Sequence, residues 1–403
     1  MPNRGGPNQA SPNPTSPSPT LPNQTLPGRA APNQALPNVP PGAPGGRPGR
    51  PGQPPAMQGQ IPGQIPGHTP GQPLPGQPPR GGLSTGAAIG IGAAGVVGGI
   101  LAGQGLKRLE DVRQQRREER DGDVTIIREP GSTIYRDGDR AFIRHDENER
   151  FREFGPPVRQ QRSGNDIVTV FDRPDGSQII TVTDVDGRLI SRQRRFPNGR
   201  EIYLVDNGRR PRGDRYDMRD DVVVLPPPRD YERDRYILDA DQANERQIYD
   251  TLMAPPVAPL PRRYSLDQVR ASPDLRNRMP SVNIDTITFD TGTWEIAPDQ
   301  VRRLAAIADG LNRAIKAAPN EVFLVEGYTD TVGSDVDNLT LSDRRAQAVA
   351  AALTQSFNVP PENLFSQGYG EQYLKVQREG DVRENRRVTV RRVTPLLNQS
   401  AGN

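Results

Sequence analysis

The sequence predicts an α/β (α+β) sandwich of βαβαββ type over residues 280–395, a β-meander in the middle of the chain, and a long disordered, proline-rich N-terminus. Three observations predict it. Beyond Val282 the apolar period switches between strand-like runs and a helical spacing; glycines at Gly176, Gly187, Gly199 and Gly208 punctuate short β-type runs; and prolines crowd residues 1–82. Of 403 residues only 33% are hydrophobic and 5% aromatic, against 44 Pro and 41 Gly. Apolar material that scarce must be concentrated in part of the chain.

Residues 1–82 form the first element, a Pro/Gly-rich spacer. Pro12, Pro17, Pro22, Pro27, Pro32 and Pro37 recur every fifth residue, and "IPGQIPGHTPGQ" repeats every fourth. Such a segment cannot bury enough surface to fold, and extended polyproline-like geometry at about 3.1 Å per residue gives it long reach. The opening "MPNRGGPNQ" lacks the apolar h-region of a signal peptide, so export needs a signal that this stretch does not supply.

Residues 83–106, "LSTGAAIGIGAAGVVGGILAGQGL", are the one long uncharged stretch, long enough for a bilayer crossing of about 20 residues. Gly86, Gly90, Ala94, Gly98 and Ala102 make a small-xxx-small face, a candidate transmembrane or glycine-zipper segment through which the chain would meet a membrane and self-associate. A flexible Gly/Ala linker is the competing reading. The basic flank Lys107, Arg108, Arg113, Arg116, Arg117 and Arg120 would hold the C-terminal side in the cytoplasm at an inner membrane, so the segment either associates with the outer membrane or does not span at all.

Residues 107–208 read as a charged helix (107–122) followed by a β-meander from Val124 to Val205, its turns spaced for hairpins. "DVDG" at Asp184 to Gly187 lacks the remaining acidic positions of a calcium loop and reads as a turn. Residues 209–279, with "LPPP" and "APPVAPLP", read as a Pro-containing linker with a short helix near Asp239 to Met253.

In residues 280–395, "VNIDTITF" is a strand, and Leu304, Ile307, Ala308, Leu311 and Ile315 share one helical face, with Pro298 in the first turn. "EVFLVEGY" is a buried strand. A second helix follows, with a capping box expected at Thr340 and Asp343 and a face through Arg345, Val349, Ala352 and Leu353. "NLFSQGYG" and "RRVTVRRV" complete the set. Asp330 and Arg345 flank a stretch of polar and small residues, read as a loop that brings a carboxylate and a guanidinium to one place; a surface ion pair is the plainer alternative.

Charge excludes one partner class. There are 52 Lys and Arg against 49 Asp and Glu, a net +3, and Arg alternates with acids in "RREERDGD" and "RDYERDRY". Nucleic-acid binders cluster basic residues among stacking aromatics, so no nucleic acid is expected. With no Cys and only His68 and His145, isolated from each other, no metal, cofactor or thiol nucleophile is expected and no catalytic residue is assigned, while a paired-carboxylate glycosidase among the acidic residues of the middle region stays open.

"FDTGTWEI", "EGYTDTVGSDVDNLTLSDRRAQAV", "GYGE" and "ENRRVTV", in this order, resemble the OmpA-like peptidoglycan-binding domain shared with MotB and the peptidoglycan-associated lipoprotein. The resemblance covers the last third of the chain. It implies that Asp330 and Arg345 hold the diaminopimelate side chain of the wall peptide, with Asp290, Thr291, Thr329 and Asn338 lining the pocket and Asn385 and Arg386 as further candidates. Diaminopimelate offers an ammonium and a carboxylate on one carbon, complementary to an Asp and an Arg that can bind bidentately. Two departures stand beside the motif: Tyr328 where the family often has His, and "QYLKVQREGD" after "GYGE".

The expectation is a non-enzymatic protein of a Gram-negative-type cell envelope, outer membrane or periplasm, that binds peptidoglycan and tethers a membrane to it. The alternatives are a stator-like component of MotB type, for which residues 83–106 lack the ionisable residue of a proton relay, and a wall-remodelling enzyme that uses the domain for targeting.

Overall fold

The computed structural model describes residues 106–209, 221–227, 236–284 and 286–397. Residues 1–82 and 83–105 lie outside them, so the spacer and the glycine-zipper segment receive no structural account. The described residues fall in one compact unit.

Helix α1 (Leu109–Gln115) leads into an antiparallel sheet, β1 (Arg117–Asp121), β2 (Val124–Glu129), β3 (Ser132–Asp137) and β4 (Arg140–His145), paired in that order. The stretch expected to be helical to residue 122 is therefore helix only to Gln115. Gly122, at φ 59°, closes a tight turn between Asp121 and Val124 that folds the charged strand back on β2. A second antiparallel meander follows: β5 (Arg159–Ser163), β6 (Asp166–Asp172), β7 (Gln178–Asp184), β8 (Leu189–Arg195) and β9 (Glu201–Asp206). Its turns at Gly176, Gly187 and Gly199 fall at glycines read from the sequence, whereas the β5–β6 turn uses Gly164 and Gly208 follows β9, and the centre of the chain holds two sheets where one meander was expected.

The region read as a linker is folded wherever it is described. Strand β10 (Ile237–Asp239) pairs in parallel with β11 (Ser281–Asn283), and helices α2 (Glu245–Met253), α3 (Leu266–Ala271) and α4 (Pro273–Arg276) lie between them. Capping boxes at Asn244 with Gln247, and at Ser265 with Gln268, start α2 and α3, and Pro273 takes the first turn of α4. The prolines mark helix boundaries here.

Then come α5 (Pro298–Val301), α6 (Ala305–Ala317), β12 (Phe323–Gly327), α7 (Asp335–Phe357), β13 (Leu364–Gly368) and β14 (Val388–Arg392). From β11 onward this is the βαβαββ order, in a mixed sheet β10-β11-β14-β12-β13. The expected first strand 282–289 is shorter, leaving the sheet after Asn283.

Both faces of that sheet are covered, which is why β12 is apolar without alternation. Phe323 and Val325 join the core shared with α6 and α7, whereas Val322 and Leu324 join Leu266, Val269, Leu275, Leu204 and Val205 from α3, α4 and β9. The edge strand β13 is covered too. Arg150 donates to the Leu364 carbonyl at 2.6 Å, Arg270 to that of Ser366 at 3.2 Å, and Gln367 to the carbonyl of Ile143 in β4 at 3.1 Å.

Helix α7 is buried on all sides from Asp337 to Thr354 because β2, β3 and β4 pack across it, with Ile127, Ile134 and Ile143 against Leu339. Its N-cap is Ser334, which accepts from the Asp337 amide at 3.2 Å. The expected capping box at Thr340 and Asp343 is displaced: Thr340 lies inside the helix and donates to Glu129, and Asp343 accepts from the Gly368 amide at 2.9 Å. Ser334 and Asp337 have the same spacing two turns earlier, and there the backbone is still extended.

Candidate functional site

Asp330 follows β12 by three residues, and Arg345 sits in the third turn of α7. The intervening residues are mostly helix, not the loop read from the sequence, and the short turn at 331–334 brings the two side chains to one region. Arg345 is 5% exposed, and its neighbour Arg344 is 2% exposed. Consecutive helical residues point about 100° apart. Arg344 is thereby turned toward the β2–β3 turn, where it donates to the Pro130 carbonyl, and Arg345 toward the turn at residues 290–293.

Arg345 is held by main chain. Its Nε donates to the Thr293 carbonyl at 3.0 Å, Nη2 donates to the Asp290 carbonyl at 3.2 Å, and the guanidinium lies 4.9 Å from the centre of the Phe289 ring. Those bonds use two of the five N–H donors and leave the Nη1 edge for an anion. No carboxylate among the described residues lies within 4.0 Å of it. Burial, reinforced by the nearby positive charge of Arg386 and only partly offset by Asp330, lowers its pKa to about 10. It stays cationic at neutral pH and incompletely compensated.

Asp330 is 5% exposed. Its Oδ1 accepts from the Val332 amide at 3.3 Å and its Oδ2 from Arg386 Nη1 at 2.5 Å. Arg386 also pairs with Asp381, and hydrogen bonds to Asp381 and Asp330 raise its pKa. Asp330, Arg345 and Arg386 therefore act on one another electrostatically.

The other sequence candidates separate into groups. Asn338 is buried and donates to the Asp330 carbonyl at 3.3 Å and to Glu371 at 2.7 Å, so it braces the site. Thr329 is 2% exposed; its amide donates to the Gly370 carbonyl, and its buried hydroxyl has no hydrogen-bond partner among the described residues. Asp290 contributes its carbonyl to Arg345, while its side chain and that of Thr291 are exposed on the turn whose third residue is Gly292 at φ 70°. Asn385 is fully buried with both polar ends on Val376, at 2.9 Å and 3.0 Å, and braces the loop that follows β13.

A cavity of about 380 Å³ opens beside Arg345. Lys375, Arg383, Arg386 and Arg387 line it, with Phe289 and Ile287 as apolar wall. Lys375 and Arg383 were not among the sequence candidates. Lys375 lies in "QYLKVQREGD", the stretch that departs from the family pattern, and Arg383 lies two residues beyond its end. Among the described residues no cluster of His, Asp or Glu could hold a metal ion.

A mixed sheet backed by two helices, with a buried Asp and Arg beside a cationic cavity, makes this a small α/β domain. The OmpA family model matches residues 288–387, and the chain belongs to that family. It is 33% identical over 118 residues to the putative lipoprotein YfiB of Escherichia coli, covering 28% of this chain and 68% of that protein. It is 33% identical over 85 residues to outer membrane porin F of Pseudomonas aeruginosa, covering 21% of this chain and 23% of that protein. The chain thus spans about two thirds of the lipoprotein and under a quarter of the porin. Among solved structures, the peptidoglycan-associated lipoprotein from Burkholderia pseudomallei aligns with 26% of this chain and 86% of its own at 21% identity, with a TM-score of 0.22.

These relatives are envelope proteins of Gram-negative bacteria, and the chain is likewise a protein of the cell envelope, outer membrane or periplasm. No helix among the described residues is long and apolar enough to cross a membrane.

Proposed function

We propose that the C-terminal domain binds the diaminopimelate-containing stem peptide of peptidoglycan, without catalysis, and tethers a membrane to the wall. The observation that carries this reading is the buried Arg345, with its Nη1 edge uncommitted and no carboxylate partner among the described residues, close enough to Asp330 for the two to interact. The ligand's carboxylate takes the Arg345 fork and its ammonium takes Asp330, Arg386 giving up part of its hold. Each charge-assisted bond is worth about 1.5–3 kcal/mol, so a single site binds modestly and a polymeric wall supplies avidity. Membrane contact through residues 83–106 and self-association along their small-residue face are part of the same proposal.

The test is retention of the full chain on purified, diaminopimelate-containing sacculi beside Asp330→Ala and Arg345→Ala. Loss of retention in both variants, and competition by free diaminopimelate, is the expected result. Wild-type protein that stays in the supernatant defeats the reading, and release of muropeptides would reassign the chain to wall-remodelling enzymes.

A further inference from the structure

The cavity beside Arg345 presents more positive charge than one zwitterionic carbon needs. Five cationic side chains line it, Arg345, Lys375, Arg383, Arg386 and Arg387, against the carboxylates of Asp241 and Glu384. Their partners sort them. Arg386 is bound to Asp330 and Asp381, and Lys375 stands 3.5 Å from Asp239. Arg387 stacks 3.8 Å from the centre of the Tyr328 ring and donates to the Tyr373 carbonyl.

Arg345 and Arg383 remain, neither within 4.0 Å of a carboxylate among the described residues. Arg383 opens the short 3-10 turn Arg383–Asn385, and Asn385 fastens that turn to Val376, the residue after Lys375. The backbone beneath Arg383 is therefore fixed relative to the cavity, although its side chain is exposed.

We propose that Arg383 is a second carboxylate-binding position and that the anion it takes is the α-carboxylate of the residue preceding diaminopimelate in a peptide ligand. This rests on the reading of Asp330 and Arg345 above and adds specificity to it. In a stem peptide the residue before diaminopimelate is a γ-linked glutamate, whose α-carboxylate is an anion when free and neutral when amidated. Arg383 makes the site distinguish the two, with a charge-assisted bond at a solvent-exposed cation giving about a tenfold difference in affinity.

Calorimetric titration of the full chain with free diaminopimelate, with Ala-γ-Glu-diaminopimelate and with the same tripeptide amidated at glutamate tests this. The free-acid tripeptide should bind about tenfold more tightly than the amide, and Arg383→Gln should erase that difference by weakening the acid to the affinity of the amide. Equal affinity for acid and amide in the wild type, or a difference that survives in Arg383→Gln, overturns the proposal. Inorganic phosphate that cancels the advantage of the acid would assign Arg383 to anions at large and overturn it as well. If Arg345→Ala weakens none of the three ligands, the diaminopimelate reading falls and takes this one with it; Arg345-dependent binding without acid–amide discrimination sinks only the second carboxylate.

Discussion

Among the described residues, the arginines buried at the seam between the β-meanders and the C-terminal domain contrast with Arg345, buried at the cavity. At the seam, Arg270 donates to Glu147 at 2.8 Å and to the Ser366 carbonyl, Arg192 donates to the Glu147 carbonyl at 2.8 Å, and Arg150 spans Leu364 and Ser366. Glu326 is enclosed in the same manner by Arg276 at 3.0 Å, Arg391 at 3.1 Å and Thr389. At the cavity, Arg345 is buried but among the described residues its hydrogen-bond partners are carbonyls, and Asp330 has the part-exposed Arg386 as its ion-pair partner there. Burial alone does not separate structure from binding; whether a buried charge is matched by protein charge does.

The largest expected effect breaks the matched side. Glu147→Ala leaves Arg192 and Arg270 buried without their carboxylate and should cost about 3–5 kcal/mol of stability, measured by denaturant unfolding. A loss below about 1 kcal/mol would show that the seam is solvated and would dissolve the contrast.

The second effect is acid sensitivity. Burial by itself would raise the Glu147 pKa, but Arg270, His145, Arg192 and Arg150 outweigh it and hold that carboxyl well below its usual range. Asp343 is likewise pushed up by burial and held low by His145, Arg344 and the Gly368 amide. For groups with depressed folded pKa values, the unfolded chain binds more protons as pH falls through the ordinary carboxylate range near about 4. Their stabilisation is thus complete above that range and lost below it. Thermal melts from pH 6 to pH 3 should fall steeply, and more shallowly in Glu147→Gln; parallel curves would remove these carboxyls from the account.

The smallest effect lies at the cavity. Arg383→Gln, at an exposed side chain without a carboxylate partner, should change stability by less than about 0.5 kcal/mol. A larger loss would place Arg383 with the seam arginines.

The sequence made the C-terminal element order legible, because α6 carries a helical period and β12 lies in a continuous apolar run. Asp330 and Arg345 were legible through motif spacing. The seam was not: Arg150 and Ser366 are separated by 216 residues, and Gln367 and Ile143 by 224. An arginine that will be buried by so distant a partner looks in sequence like any surface arginine. The prolines of "LPPP" and "APPVAPLP" suggested a linker for the same reason, since the core that holds α2, α3 and α4 comes from β12, β13 and α6. The same contacts mean that residues 281–403 alone would expose the edge of β13, so the full chain is the proper material for binding work.

The most direct measurement is therefore made on the full chain with Arg345→Ala, comparing sacculus retention and melting temperature with wild type. Arg345 is desolvated and only partly compensated, so the loss of its two carbonyl bonds is largely offset and its removal should shift the melting temperature little while retention is lost. An Arg345→Ala protein that melts normally and still sediments with the wall would contradict the claim that this arginine is the binding residue.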